Sequence, residues 1–443
     1  MRRTRLLSAV LLTTIVAAPA SATTSKIVNQ RSELGALDPT FGQDGVVVTD
    51  LGGMDFGNAV AVGSRIVAAG TLQIGLCCDW QQDLALVGYL LDGTIDPSFG
   101  DEGVVITDLD QNDRPVDVQL DSEDRVVVLI SVGDSTDTRG AVLARYLADG
   151  TLDAAFGDGG FADVGTDLYP TKVALQPDGK IVVAAIGPVG PMVLARYLPD
   201  GQPDPGFGEN GRVVTRLGSD NDWPIGLDVL PDGKLLVIAS MATLINYSEG
   251  TFKLALVRYH EDGSLDPSFG KRGIVRRPIQ DWNDVIDGEV AADGKIVVLV
   301  SGSAGSAYCA DSYSPQKLWR FRRNGHLDTT FDGDGRTRVT SLNVRGMALQ
   351  ARDRILVVGE RCIPPESVKS EMAFAVARYR QDGSLDRRFG NKGTAVNLAE
   401  GQHAVPRNLV LQSNDRVLVV GNTVPKNDPF GGRDLAIARY IAA

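Results

Sequence analysis

Short apolar runs recur along the whole chain, each five to eight residues long, rich in Val and Ile, and interrupted by polar turns. In one stretch the run 172–176 is followed by 180–186, then by 192–197, then by a polar segment that continues into 212–215. Runs of this length suit strands rather than helices. The separators agree, because Asp178-Gly179, Asp200-Gly201, Asp232-Gly233, Asp262-Gly263, Asp293-Gly294 and Asp382-Gly383 supply the positive φ angles of a tight hairpin turn. Four runs joined in this way predict a four-stranded antiparallel sheet.

That unit repeats. The pattern Asp-x-x-Phe-Gly stands at 37–42, 95–100, 152–157, 203–208, 265–270 and 385–390, and at 327–332 with Asp332 in the last place, and a glycine follows four residues after every Phe. The spacing from Leu37 to Leu385 averages 58 residues over six intervals, a period that belongs to repeat folds. Seven four-stranded units predict an all-β fold, a seven-bladed β-propeller. The last unit supplies runs at 408–412, 416–421 and 434–441 and lacks a fourth, while the first Asp-x-x-Phe-Gly strand, 37–50, precedes any complete unit. Strand 37–50 is therefore expected to complete the blade formed by 407–441, closing the ring and removing an exposed edge.

Ahead of the repeats, residues 1–22 carry Arg2, Arg3 and Arg5, an apolar run from Leu6 to Ala18, and Pro19-Ala20-Ser21-Ala22. This is the layout of a secretory signal peptide cleaved near Ala22. The apolar run is shorter than the roughly 20 residues that span a bilayer. The expected organisation is a signal peptide at 1–22, a linker at 23–36 and one propeller at 37–443, secreted or periplasmic. The net charge of −12 becomes −15 once the three arginines are removed. That balance opposes nucleic-acid binding and, with no second apolar segment, membrane insertion. A monomer is expected.

The repeat reads x-Asp-Gly-Lys-Ile-Val-Val, then Ala-Arg-Tyr-x-x-Asp-Gly-x-Leu-Asp-x-x-Phe-Gly-x-x-Gly, and it resembles the delta-60 repeat family of secreted bacterial proteins. The resemblance implies a β-propeller of unknown function with no assigned catalytic residues. A looser similarity links 226–237 to NHL-repeat propellers. Within the repeat, Asp332 replaces the usual Gly and Pro203 the usual Leu.

A residue present in every copy serves the architecture, since one binding site does not need seven equivalents. The repeated Phe is expected to plug the contact between blades, and the repeated Arg before an aromatic to pair with the repeated Asp. Function is sought on the face that carries the variable second-to-third loops and the crossovers between blades. Trp80, Trp223, Trp282, Tyr169, Tyr247, Tyr308, Tyr313 and His403 fall there, as aromatics able to stack on sugars or anchor a protein. Cys309 and Cys362 occupy equivalent loops of adjacent blades and are expected to form a disulfide, leaving Cys77 and Cys78 as a vicinal pair or two free thiols. Asp228 and Glu289 take equivalent positions on neighbouring inner strands, where they offer calcium ligands or an acid and base near the channel. Gly-x-Ser-x-Gly is absent and histidines number three, which disfavours a triad or a zinc site. Two functions follow: a non-catalytic binding or scaffold protein whose variable face takes a protein or glycan, and alternatively a calcium-dependent hydrolase or lyase at the channel mouth.

Overall fold

A computed structural model describes residues 34–442 apart from 75–80, 110–111, 134–138, 247–248, 280–283, 302–315, 340–341, 364–370, 398–401 and 426–431. Residues 33–443 form one compact unit. The described strands gather into seven four-stranded antiparallel sheets, so the protein is a seven-bladed β-propeller. In six blades the strands follow chain order. In the seventh, the strand Val46–Thr49 pairs with Asp434–Tyr440, Val46 opposite Ala438 and Thr49 opposite Leu435, so the first strand closes the ring. No helix among the described residues is long and apolar enough to cross a membrane.

The first strands of the blades are Met54–Val62, Asn112–Leu120, Tyr169–Leu175, Asn221–Val229, Val285–Val290, Asn343–Gln350 and Gln402–Leu411. Each touches its counterparts on both sides, so these seven strands form the wall of the central channel. The apolar core does not lie within blades. It is divided into seven clusters, each drawn from two adjacent blades, and each contains one repeated Phe, all seven of which are fully buried.

A cation stacks on each plug. The guanidinium carbons of Arg145, Arg196, Arg258, Arg320, Arg378 and Arg439 lie 4.5 to 4.9 Å from the ring centres of Phe156, Phe207, Phe269, Phe331, Phe389 and Phe41. Each also pairs with the aspartate of the same run, from 2.7 Å at Arg145–Asp153 to 3.0 Å at Arg320–Asp328. Each donates to a backbone carbonyl of the next blade, as Arg258 does to Arg323 at 3.0 Å. One side chain thus joins an ion pair, a cation–π contact and a bridge between blades.

The first blade has Gly88 where the other six have Arg. Arg65, from the turn between its first two strands, supplies the missing charge, pairing with Asp96 at 2.7 Å and lying 5.8 Å from the Phe99 ring centre. A Cβ at Gly88 would meet Phe99 at 2.7 Å, so Phe99 occupies the space a longer side chain would need. Asp332, the exception to the Phe-Gly rule, adopts φ 48°, close to the 51–58° of its glycine counterparts. In the six Asp-Gly turns singled out from the sequence only the glycine takes positive φ, for instance 83° at Gly179. The aspartate instead accepts a hydrogen bond from the N–H two residues on, as Asp92 does from Thr94 at 2.9 Å, an Asx turn rather than a two-residue primed hairpin.

Candidate binding site at the channel mouth

Every innermost strand carries a bulge at the same place, where the register skips Asn58, Val116, Thr171, Ile225, Ile286, Arg345 or Arg407. In four blades the residue before the skipped one is a proline (Pro115, Pro170, Pro224, Pro406), which has no N–H to give the ladder. A bulge bends the strand and redirects its side chains. The residues around it form the rim of the channel on the crossover face.

There a cavity of about 450 Å³ is lined by Phe56, Asn58, Thr71, Gln82, Arg114, Pro115, Val116, Ser131, Tyr169, Pro170, Trp223 and Arg407. Phe56, Tyr169 and Trp223 supply the aromatic wall. Trp223 is 38% exposed, and its ring meets Tyr169 edge-on at 6.0 Å and 71°. Pro170 and Pro224, fixed in the strands beside these rings, limit how the backbone can yield.

The same cavity is also cationic. Arg114 and Arg407 line the cavity, Arg433 lies over Phe56 at 5.1 Å, and Arg345 pairs with Glu360 at 3.0 Å. Burial holds the Arg407 guanidinium below its ordinary value, and the charges of Arg345, Arg433 and Arg114 push it the same way against the single opposing carboxylate, Glu360. Two guanidinium groups therefore line the cavity, and Arg345 and Arg433 act on Arg407 beside them, in a protein whose net charge is −12. Such a group of forked donors favours a carboxylate, sulfate or phosphate.

Deeper in the channel lies a second cluster. Lys172 is surrounded by carboxylates, Asp117 foremost with Asp287, Glu289 and Asp228 beyond, and these hold its ammonium above the ordinary value. Burial, with the charge of Asp287 adding to it, pushes Glu289 up to about 8 and Asp228 up to about 7. The register confirms the equivalence of these two, Asp228 opposite Leu236 and Glu289 opposite Val297. An innermost strand is a sheet edge, and the carboxylates cap it. Asp117 accepts from the Val173 N–H at 3.1 Å, Asp287 from Met347 at 2.9 Å and Glu289 from Leu349 at 2.9 Å, each reaching into another blade. A carboxyl pair titrating near neutrality is suited to acid–base work, yet none of these channel residues lines the cavity at the mouth.

The structure thus brings Trp223 and Tyr169 together and places His403 elsewhere, on the innermost strand of the seventh blade, outside the cavity lining. Trp80, Trp282, Tyr247, Tyr308, Tyr313, Cys77, Cys78 and Cys309 lie outside the described residues. Cys362 stands opposite Met372 in its strand, with its side chain outside the description. The sequence reasoning missed Phe56, Arg114, Arg407, Asp117, Lys172 and Asp287. A signal was present: Arg114, Tyr169 and Trp223 each precede a proline at the same point of the repeat.

Fold and site together define a seven-bladed propeller with a cationic, aromatic-walled mouth. Residues 129–156, 176–207 and 230–269 match a family model described as "Domain of unknown function (DUF5122) beta-propeller", so the similarity is to a propeller family without assigned function. No curated protein matches the chain significantly. Among solved structures, a Dyadobacter fermentans protein of unknown function is 14% identical with TM-score 0.40, the match covering 90% of this chain and 99% of that one. An ulvan lyase of polysaccharide lyase family PL25 is 9% identical with TM-score 0.48, covering 93% of each. The first two extracellular domains of Drosophila semaphorin 1a are 7% identical with TM-score 0.46, covering 89% and 87%. Likeness at these levels carries no functional argument.

Proposed function

We propose that this propeller is a secreted, non-catalytic binding protein whose channel mouth takes an acidic glycan. The observation that carries the reading is the pairing, in one cavity, of the Trp223–Tyr169 wall with Arg114 and Arg407. A sugar ring offers an apolar face to an aromatic side chain and hydroxyls to Asn58, Thr71, Gln82 and Ser131, while an arginine fork matches a uronate carboxylate or a sulfate. In the same reading the segment 1–22 directs export and is removed near Ala22, and Cys309 and Cys362 are joined in the oxidising compartment. The hydrolase or lyase reading has less support, because Asp228 and Glu289 do not reach the cavity.

The test is calorimetric titration with acidic and neutral oligosaccharides of equal length. Binding of the acidic set alone, weakened at least tenfold by Trp223→Ala and by Arg407→Ala, is the expected result. Equal affinity for neutral sugars, or binding untouched by both substitutions, would refute it.

A further inference from the structure

At the seam between the seventh and first blades three carboxylates from three segments meet. Asp50 follows the ring-closing strand, Asp434 opens the last strand, and Asp55 lies in the first strand of the first blade. One oxygen of each lies within 4.8 Å of the others. Asp83, Asp108 and Asp113 make the same arrangement at the next seam, between the first and second blades. The correspondence is positional: Leu435 pairs with Thr49 as Leu84 pairs with Thr107, with Asp434 and Asp83 before the leucine and Asp50 and Asp108 after the threonine.

Crowded carboxylates alone would be a surface accident, but Asp55 is fully buried. Its Oδ2 accepts the Leu51 N–H at 2.6 Å, while its Oδ1 is enclosed and accepts no hydrogen bond. At the second seam Asp83, 6% exposed, likewise has an enclosed Oδ1 without a donor. Among the described residues no Lys, Arg or His pairs with Asp50, Asp55 or Asp434. Burial holds the Asp55 carboxyl up near 6, and Asp50 and Asp434 add to the rise.

A third seam, between the third and fourth blades, is an internal control. Asp222 occupies the place of Asp55, and its Oδ2 accepts the Leu217 N–H at 2.7 Å in the same way. There Arg216 stands where Asp50 and Asp108 stand, and the Ser219 hydroxyl donates to Asp222 Oδ1. At this third seam the inner oxygen of Asp222 has a donor, whereas the enclosed Oδ1 atoms of Asp55 and Asp83 have none. A buried acceptor left without a donor is costly, and a cation would satisfy it.

We propose that Asp50, Asp55 and Asp434 bind a divalent cation of the calcium type at the ring-closing seam, and that Asp83, Asp108 and Asp113 bind a second at the next seam. The donors are all hard oxygens, and oxygens on one calcium ion, at about 2.3–2.6 Å, lie no more than about 5 Å apart. The exposed Asp50 and Asp108 leave room for water to complete the coordination. At the first seam the ion would tie the first strand, the last strand and the first blade together.

The full secreted chain, stripped with chelator, would be titrated calorimetrically with calcium chloride. Asp50→Asn and Asp108→Asn alter exposed positions and keep the fold testable. Two saturable sites per chain are expected, one lost in each variant, with both retained in Asp228→Asn. Calcium should also raise the thermal midpoint of the wild type and raise it less in Asp50→Asn. A single site lost in Asp50→Asn would uphold the first seam and overturn the second. No saturable binding at millimolar calcium, or binding that survives both substitutions, overturns the proposal.

Discussion

Arg439 and Asp38 lie 2.9 Å apart, joining the last strand of the chain to the segment that leads into the first. Both are almost fully buried, and Arg416 adds a second contact to the same Asp38 oxygen at 2.7 Å. Burial alone would raise the Asp38 carboxyl, but hydrogen bonds from Thr40 and the charges of Arg439 and Arg416 outweigh it, so it sits below its usual value. A depressed carboxyl contributes stability that is present above its unfolded value near 3.8 and lost as pH falls through the lower folded one. Asp38→Ala should therefore cost about 3–5 kcal/mol at neutral pH, because it strands a buried arginine. Urea unfolding followed between pH 2 and 7 should show a shallower acid limb in the variant; an unchanged limb would detach the pair from ring closure.

The replacement of a repeated arginine by Arg65 in the first blade makes a second expectation. Removing it leaves Asp96, 5% exposed, without its cation. Arg65→Ala should cost about 3 kcal/mol or more. Restoring the repeat with Gly88→Arg should not rescue it, since Phe99 already fills the space. Equilibrium unfolding of the single and double variants decides; recovery in the double variant would mean the ring yields easily.

The repeated plugs also set a local scale. Phe207 is fully buried in the cluster shared by the third and fourth blades. Phe207→Ala should cost about 3–5 kcal/mol, and hydrogen exchange should rise first in the strands on both sides of that seam. Exchange confined to one blade would show that the clusters do not couple neighbours.

The architecture was legible because it is written many times. Phe41 to Phe389 recur at nearly fixed spacing with the same neighbours, so strand number, blade number and the closing strand could all be read from the chain. The channel mouth was only half legible. Trp223 and Tyr169 stood out by type, but Arg407 and Asn58 reach the cavity because a bulge turns them there, and a bulge is a property of two paired strands. Asp228 and Glu289 were visible as departures from the repeat, whereas Lys172, Asp117 and Asp287 sit two positions earlier, where the copies vary among Ala, Asp, Lys, Gly and Asn and no consensus marks a departure. Their meeting depends on strands 56 to 60 residues apart lying side by side, as the bonds from Val173 to Asp117 and Leu349 to Glu289 show.

That channel cluster makes the last prediction. Burial, with Asp287 and Asp228 nearby, raises Glu289 to about 8, against the Leu349 N–H and Lys172, which favour the charged form. A carboxyl raised on folding binds more protons folded than unfolded between its ordinary value near 4.5 and 8. Stability contributed by the protonated group is therefore complete below pH 4.5 and is lost as pH climbs through 8. Glu289→Gln keeps the shape and removes the titration. The variant should match the wild type near pH 5 and exceed it at pH 9 by about 1 kcal/mol or more, the worth of a single pH unit. Asp228→Asn should behave alike with its crossover near 7. Urea midpoints at pH 5, 7 and 9 give the comparison. A wild-type stability that stays level over this range, with the variants parallel to it, would mean that water in the channel already solvates these carboxylates as well as bulk water does.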